Sequence, residues 1–252
     1  MLKIIHARIN QGYRTSDFPA VPPVMPELFG GLPELEKDKC NHSCSDCIKV
    51  CPTGAIVKTN GSLTLDLGLC IFCHACVEAC SYQALSFSQD YRLSVNKRED
   101  LLLSNNTFHL AKAVDDKAKR IFGHSLKLRQ VSAGGCNACE GDTNVLNTLV
   151  FDLGRFGIQF VASPRHADGL LITGPVTENM KLALLKTYDA VPAPKLVIAV
   201  GACAISGGIY SGHPETNNGI GDLLPVDLYI PGCPPHPYTI LDGLLRLIGK
   251  IL

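Results

Sequence analysis

Twelve cysteines in a chain of 252 residues, eight of them in two runs of matching spacing, limit what this sequence can fold into more than any other feature. The first run is Cys40, Cys44, Cys47 and Cys51, followed by Pro52; the second is Cys70, Cys73, Cys76 and Cys80. The segment CSDCIKVCPTGAI from Cys44 aligns with CHACVEACSYQAL from Cys73, 29 residues further on, with Ala55 opposite Ala84. Each unit of such a repeat is too small to bury a core alone, so the pair must share one. Bound metal can supply what the shared core lacks.

The spacing C-x2-C-x2-C-x3-C-P is the signature of bacterial ferredoxins, in which the fourth cysteine ligates the other cluster. Three thiolates on one tight loop reach three corners of a cubane, and the fourth iron faces away. The repeat supplies that fourth ligand reciprocally. Cys40, Cys44, Cys47 and Cys80 are therefore assigned to one 4Fe–4S cluster, and Cys51, Cys70, Cys73 and Cys76 to a second. Zinc is the rival, since paired CxxC motifs also make tetrahedral thiolate sites. A lone zinc has no use for a third loop cysteine and a distant fourth, given twice. Two departures stand out: three residues separate Cys40 from Cys44, and Cys80 is followed by Ser81 in place of proline. His42, inside the longer gap, is a conceivable substitute ligand that Cys40 makes unnecessary.

Composition narrows the surroundings. Formal net charge is zero, which argues against a general nucleic-acid binder. Hydrophobic residues make up 46% and charged residues 18%, a balance that packs a core. The opening MLKIIHARINQGYRT has neither an apolar signal core nor a twin-arginine pair, so a cytoplasmic location is expected, where clustered thiols read as metal ligands before disulfides. The longest uncharged stretch, 196–214, is broken by four glycines and is a poor membrane span.

Four segments follow from the pattern. Residues 1–35, with Pro19, Pro22, Pro23, Pro26 and Pro33, are expected as an extended partner-binding arm carrying Phe18, Leu28 and Phe29. Residues 36–92 form the repeat, an α+β ferredoxin-like module. Residues 93–122, with Leu110, Ala113, Val114, Ala118 and Ile121 at helical spacing, suggest a helical connector. From 123 to 252 short apolar runs alternate with helical ones. Strands are expected at 126–131, 158–162, 170–173, 196–200 and 226–230, and helices near 140–153, 177–188 and 237–250. That alternation implies an α/β domain with a mostly parallel sheet. In the last helix Asp242, Arg246 and Lys250 recur every four residues and are expected to face solvent.

The remaining cysteines, Cys136 and Cys139 in GGCNACE, Cys203 in VGACAISGG and Cys233 in IPGCPPHP, each follow an expected strand. Ligands of open parallel sheets bind outside the carboxyl ends of the strands. Glycines at 134, 135, 201, 207, 208 and 232 let the backbone approach a bulky inorganic group. Four thiolates thus converge on one crevice for a third cluster, and the twelve cysteines divide into groups of four with none left over.

GGCNACE, DLGRFGI, SPRHADGLLITGPVT, PKLVIAVGACAISGG and VDLYIPGCPPHP together resemble the small-subunit family shared by NiFe hydrogenases and the 20-kDa subunit of respiratory complex I. The resemblance covers roughly residues 123–250, and implies a flavodoxin-like fold with a cluster on Cys136, Cys139, Cys203 and Cys233. The N-terminal part, including the lead-in ending PELFGG, is similar to the two-cluster ferredoxin subunit of the same complexes. Cys136-Asn-Ala-Cys139 follows the hydrogenase-type spacing, where complex I subunits carry adjacent cysteines. The nearest likeness is to energy-converting, formate hydrogenlyase-type hydrogenases.

Gly141-Asp142 and Ala202 depart from that pattern beside the cluster, where an apolar-acidic pair and an acidic residue are common. The resemblance implies an electron-transfer subunit with no catalytic residues of its own. Its implied partners are a large subunit holding a Ni–Fe centre or, alternatively, a quinone pocket, membrane subunits, and an electron-donating iron–sulfur or formate dehydrogenase-type subunit. Location would be peripheral, on the inner face of the cytoplasmic membrane. Glu140 is a candidate proton relay or, equally, an acid stabilising a helix N-terminus. Arg165 and His166 are candidates to donate to cluster sulfurs, to contact the large subunit, or to form a plain salt bridge.

Overall fold

A computed structural model describes residues 2–36, 38–41, 43–59, 62–104, 108–113, 121–122 and 124–251. Among the described residues ten strands lie in three sheets: β1 (Pro33–Leu35), β2 (Ile56–Thr59), β3 (Ser62–Asp66), β4 (Leu85–Phe87), β5 (Leu102–Leu103), β6 (Leu126–Ser132), β7 (Ile158–Phe160), β8 (Gly169–Thr173), β9 (Leu196–Val200) and β10 (Leu228–Ile230). The last five form one parallel sheet in the order β10-β9-β8-β6-β7. Read from the β7 edge, this is the flavodoxin-like doubly wound order. β8 and β9 are buried along their whole length, as their unbroken apolar sequences GLLIT and LVIAV require of strands covered on both faces. Helices Glu178–Ala190 and Pro237–Leu247 match two of the expected helices, and the third is shorter, Ala138–Val145.

Alternation along β9 divides the core. Ile198 and Val200 pack with Leu126, Leu128 and the last helix. Val197 and Ala199 face the other way, into a cluster that also holds Leu65, Leu67, Leu101, Cys47, Cys70 and Cys76. The sheet therefore lends one face to the cysteine repeat, and a single hydrophobic cluster spans both. Within the repeat, each cysteine loop enters a short helix, Asp46–Val50 or Ala75–Glu78, then a strand, β2 or β4. β1 pairs with β4, and β2, β3 and β5 make a three-stranded antiparallel sheet.

Three expectations are corrected. Leu2–Gln11 is a helix with no buried residue, not an extended segment; it lacks glycine and proline, and Gly12 at φ +63° ends it before the prolines begin. Phe18 is buried in this chain's own core, ringed by Tyr91 and Tyr238, whereas Leu28 remains 91% exposed. Over 93–104 the connector is not helical: residues Arg98–Leu101 make a 3-10 turn and β5 joins the repeat's sheet. Residues 108–113 have no regular structure, Ile121 lies in a helical turn, and Val114 and Ala118 fall outside the described residues.

The connector instead straps the sheet. Val95 and Tyr229 exchange backbone hydrogen bonds of 3.0 and 2.8 Å, extending the β10 edge in antiparallel sense. This strap changes the last helix. Asp242 and Arg246, expected at the surface, are 1% and 6% exposed and form an ion pair at 2.7 Å, while Lys250 stays exposed. Periodicity marks a polar stripe but cannot say that residues 90–95 lie over it. Burial raises the Asp242 carboxyl above its ordinary value, and the Arg246 guanidinium opposes that rise. Replacing Asp242 by alanine would leave the Arg246 charge buried without this carboxylate. Asp242→Ala is expected to destabilise the fold by about 3–5 kcal/mol, measured as a lowered denaturation midpoint.

Candidate metal centres

The two loops of the repeat close alike. In each, an amide four residues past the last cysteine donates to its sulfur: Ala55 N–H to Cys51 Sγ at 3.2 Å, and Ala84 N–H to Cys80 Sγ at 3.3 Å. Gly54 and Gln83, at equivalent positions, are both left-handed, with φ of +64° and +50°. The turn comes from that backbone conformation, so Ser81 in place of proline leaves it intact. Phe72 N–H adds a third such bond, to Cys70 Sγ at 3.4 Å. His42 lies outside the described residues. All twelve cysteines are free thiols.

Electrostatic neighbours sort the sulfurs. Burial raises the Cys47 thiol, and its further opponents are Cys80, Cys40 and Cys44. Burial pushes Cys70 up to about 12, opposed by the Phe72 amide and reinforced by Cys76, Cys51 and Cys73. Cys76, at about 11, is raised by burial and then by Cys51, Cys73 and Cys47. Cys51 thus neighbours Cys70 and Cys76 of the second run, and Cys80 neighbours Cys47 of the first.

The other four cysteines follow the carboxyl ends of β6, β9 and β10: Cys136 on the turn before helix Ala138–Val145, Cys139 in the first turn of that helix, Cys203 in helix Ala202–Ser206, and Cys233 before Pro237–Leu247. Burial raises Cys139 well above the ordinary thiol range, and Glu140, Cys203, Cys233 and Cys136 add to it. Cys203 is pushed up to about 11 by burial, then by Cys233 and Cys136. Cys233 is raised by burial and then by Cys136 and by Cys73 of the repeat. Cys73, Cys136 and Cys233 are the three exposed cysteines, so the second and third sets meet at an open face. The glycines there are needed for close approach. A Cβ on Gly201 would lie 2.6 Å from Cys139 Sγ, and one on Gly208 would lie 2.9 Å from Cys203 Sγ.

Among the described residues, no three or more His, Cys, Asp or Glu side chains close around a single-ion position. Ligands of one zinc lie about 2.3 Å from it, whereas the corner irons of a cubane hold their thiolates farther apart. Clustered thiols, six of them raised by burial, and backbone N–H donors to three of the sulfurs fit polynuclear iron. Coordination would remove the thiol protons that burial now retains.

Glu140 is 6% exposed; Thr173 Oγ1 donates to its Oε1 at 2.6 Å. Burial works to raise this carboxyl, but hydrogen bonds from Ser132, Thr173 and its own amide win and hold it below the ordinary value. It borders an open crevice of about 550 Å3 with Arg129, Asn137 and Asn144. Asp142, half-buried and raised by burial, lines a second cleft of about 230 Å3 with Cys233, His236 and Phe29. His236 Nδ1 accepts the Tyr238 amide at 3.2 Å while its ring stacks on Tyr238 and meets the edge of Phe29. Arg165 and His166 lie in the crossover from β7 to β8, exposed, with no side-chain hydrogen bond or ion pair to the described residues. Sequence reasoning missed Asp66 and Arg98, which form a two-point ion pair beside the Cys70 turn at 2.6 and 2.8 Å; no motif marks Arg98.

Fold and thiol placement define an iron–sulfur protein in which a dicluster module is fused to a doubly wound α/β domain. Residues 39–85 match the 4Fe-4S dicluster domain, and residues 136–247 match the NADH ubiquinone oxidoreductase 20 Kd subunit. The chain belongs to this 20 Kd subunit family, which also takes in hydrogenase subunits. It is 40% identical over 132 residues to a probable membrane-bound hydrogenase subunit of Pyrococcus furiosus, covering 52% of this chain and 79% of that one. It is 45% identical over 122 residues to formate hydrogenlyase subunit 7 of Escherichia coli, covering 48% of each. It is 46% identical over 117 residues to an NADH-quinone oxidoreductase subunit of Citrifermentans bemidjiense, covering 46% of this chain and 68% of that one.

Gly201→Ala is expected to displace Cys139 and weaken metal binding at the third set alone. Iron analysis together with the visible absorbance of the repeat checks this: the repeat's share should persist.

Proposed function

We propose that this chain is an electron-transfer subunit of an energy-converting oxidoreductase complex and holds three 4Fe–4S clusters. Cys40, Cys44, Cys47 and Cys80 would hold the first, Cys51, Cys70, Cys73 and Cys76 the second, and Cys136, Cys139, Cys203 and Cys233 the third. Each cluster would supply one-electron redox chemistry at a potential set by burial, charge and hydrogen bonds to sulfur. The observation that carries this reading is the end-to-end linkage of the sulfurs: Cys76 neighbours Cys47, and Cys73 neighbours Cys233. A carrier at each set would be next to another, in the order first, second, third.

The chain's residues supply the frame. The amides of Ala55, Phe72 and Ala84 orient their sulfurs, and the shared core excludes water from Cys47, Cys70 and Cys76. The open face at Cys73, Cys136 and Cys233 is where a large subunit would close over the third set. The hydrogenase-type spacing Cys136-Asn-Ala-Cys139 and the hydrogenase relatives favour a partner with a Ni–Fe centre. The 46% identity to an NADH-quinone oxidoreductase subunit supports the second reading, a partner that reduces quinone. Among the described residues no helix is long and apolar enough to cross a membrane. Attachment to the inner face of the cytoplasmic membrane would therefore run through partner subunits, with an iron–sulfur or formate dehydrogenase-type subunit as donor.

Anaerobically purified protein is expected to contain about twelve irons and twelve acid-labile sulfides per chain; protein folded around zinc with little iron would overturn the reading. Cys233→Ala should lose only the third cluster, and Cys80→Ala should damage the one shared with Cys40, Cys44 and Cys47. Electron paramagnetic resonance of the reduced variants separates the two outcomes.

A further inference from the structure

The turn that leads into Cys70 and the helix that carries Cys203 touch at one point. Ser206 Oγ lies 2.7 Å from the Gly68 carbonyl oxygen and 3.1 Å from that of Ala202. The single hydroxyl proton goes to the shorter contact, so a side chain three residues past Cys203 holds a backbone two residues before Cys70. Gly68 is buried, and a Cβ there would lie 2.8 Å from Ile205 Cγ2 and 2.9 Å from Arg98 Cζ. Only glycine permits this approach.

The turn is fixed from its other side by Asp66. Its Oδ1 accepts the Gly68 amide at 2.8 Å and Arg98 Nη1 at 2.8 Å, and its Oδ2 accepts Arg98 Nη2 at 2.6 Å. Its carbonyl accepts the Cys70 amide at 3.0 Å. Arg98 lies in the strap whose Val95 is bonded to Tyr229 of β10, the strand that ends just before Cys233. Of these two contacts, one runs to the helix that carries Cys203 and the other to β10, the strand that leads to Cys233.

We propose that Ser206, Gly68 and the Asp66–Arg98 ion pair are a clamp that fixes the spacing of the second and third cysteine sets, and so the coupling between the clusters they hold. These are positioning residues; none touches a reacting atom. The inference rests on the reading that both sets hold iron–sulfur clusters. Full-length wild type, Ser206→Ala, Ser206→Thr and Gly68→Val, reconstituted without oxygen, are compared by iron and sulfide content. Power saturation and line broadening in the resonance spectra of the reduced proteins then read the magnetic interaction between the clusters.

Ser206→Ala and Gly68→Val are expected to keep their iron and lose part of that interaction, with Ser206→Thr, which retains the hydroxyl, like wild type. Unchanged interaction in Ser206→Ala with iron retained would overturn the clamp, and that variant decides the matter alone if Gly68→Val does not fold. Wild type without iron would overturn the cluster reading itself, and the clamp with it.

Discussion

Burying a thiolate beside other sulfurs is unfavourable, so the chain unaided keeps its buried cysteines protonated. Burial disfavours the thiolate and neighbouring sulfurs disfavour it further, so Cys70, Cys76 and Cys203 hold their protons up to about 12, 11 and 11. A polynuclear cation reverses that balance by supplying the missing positive charge. Much else in the fold serves to bring sulfurs together without crowding them: glycines at 201 and 208, left-handed residues at 54 and 83, and amides aimed at Cys51, Cys70 and Cys80.

The same constraint explains why the two units are not independent. A repeat this short offers only a thin apolar layer, and its leucines at 65 and 67, with Leu101 of the connector, share one buried cluster with Val197, Ala199 and Tyr229 of the parallel sheet. The strap at Val95 closes the β10 edge, which would otherwise present unpaired backbone groups. Rigid attachment also suits transfer between carriers, whose spacing must persist while charge moves.

Much of this was legible in the residues. The strands beginning near Leu126, Ile158, Leu170 and Leu196 follow from apolar runs bounded by glycine and proline. The reciprocal ligation proposed for Cys51 and Cys80 rests on cysteine spacing alone, since a tight loop reaches only three corners of a cubane. Less was legible where a polar residue could face either water or another segment. Nothing in the sequence indicated that Thr173 and Ser132 would enclose Glu140.

Local spacing and periodicity act over a few residues, and there the sequence by itself determined the outcome: cysteine loops, strand alternation, and which glycines precede ligands. What only the tertiary structure decided are the meetings between distant segments. Asp242 and Arg246 became a buried pair because residues 90–95 cross them, and Phe18 found its partners at Tyr91 and Tyr238 instead of on another protein. Ser206 reached Gly68 across 138 residues. Such contacts depend on how whole faces pack, and that is a property of the summed burial of many side chains, which no single stretch of sequence carries.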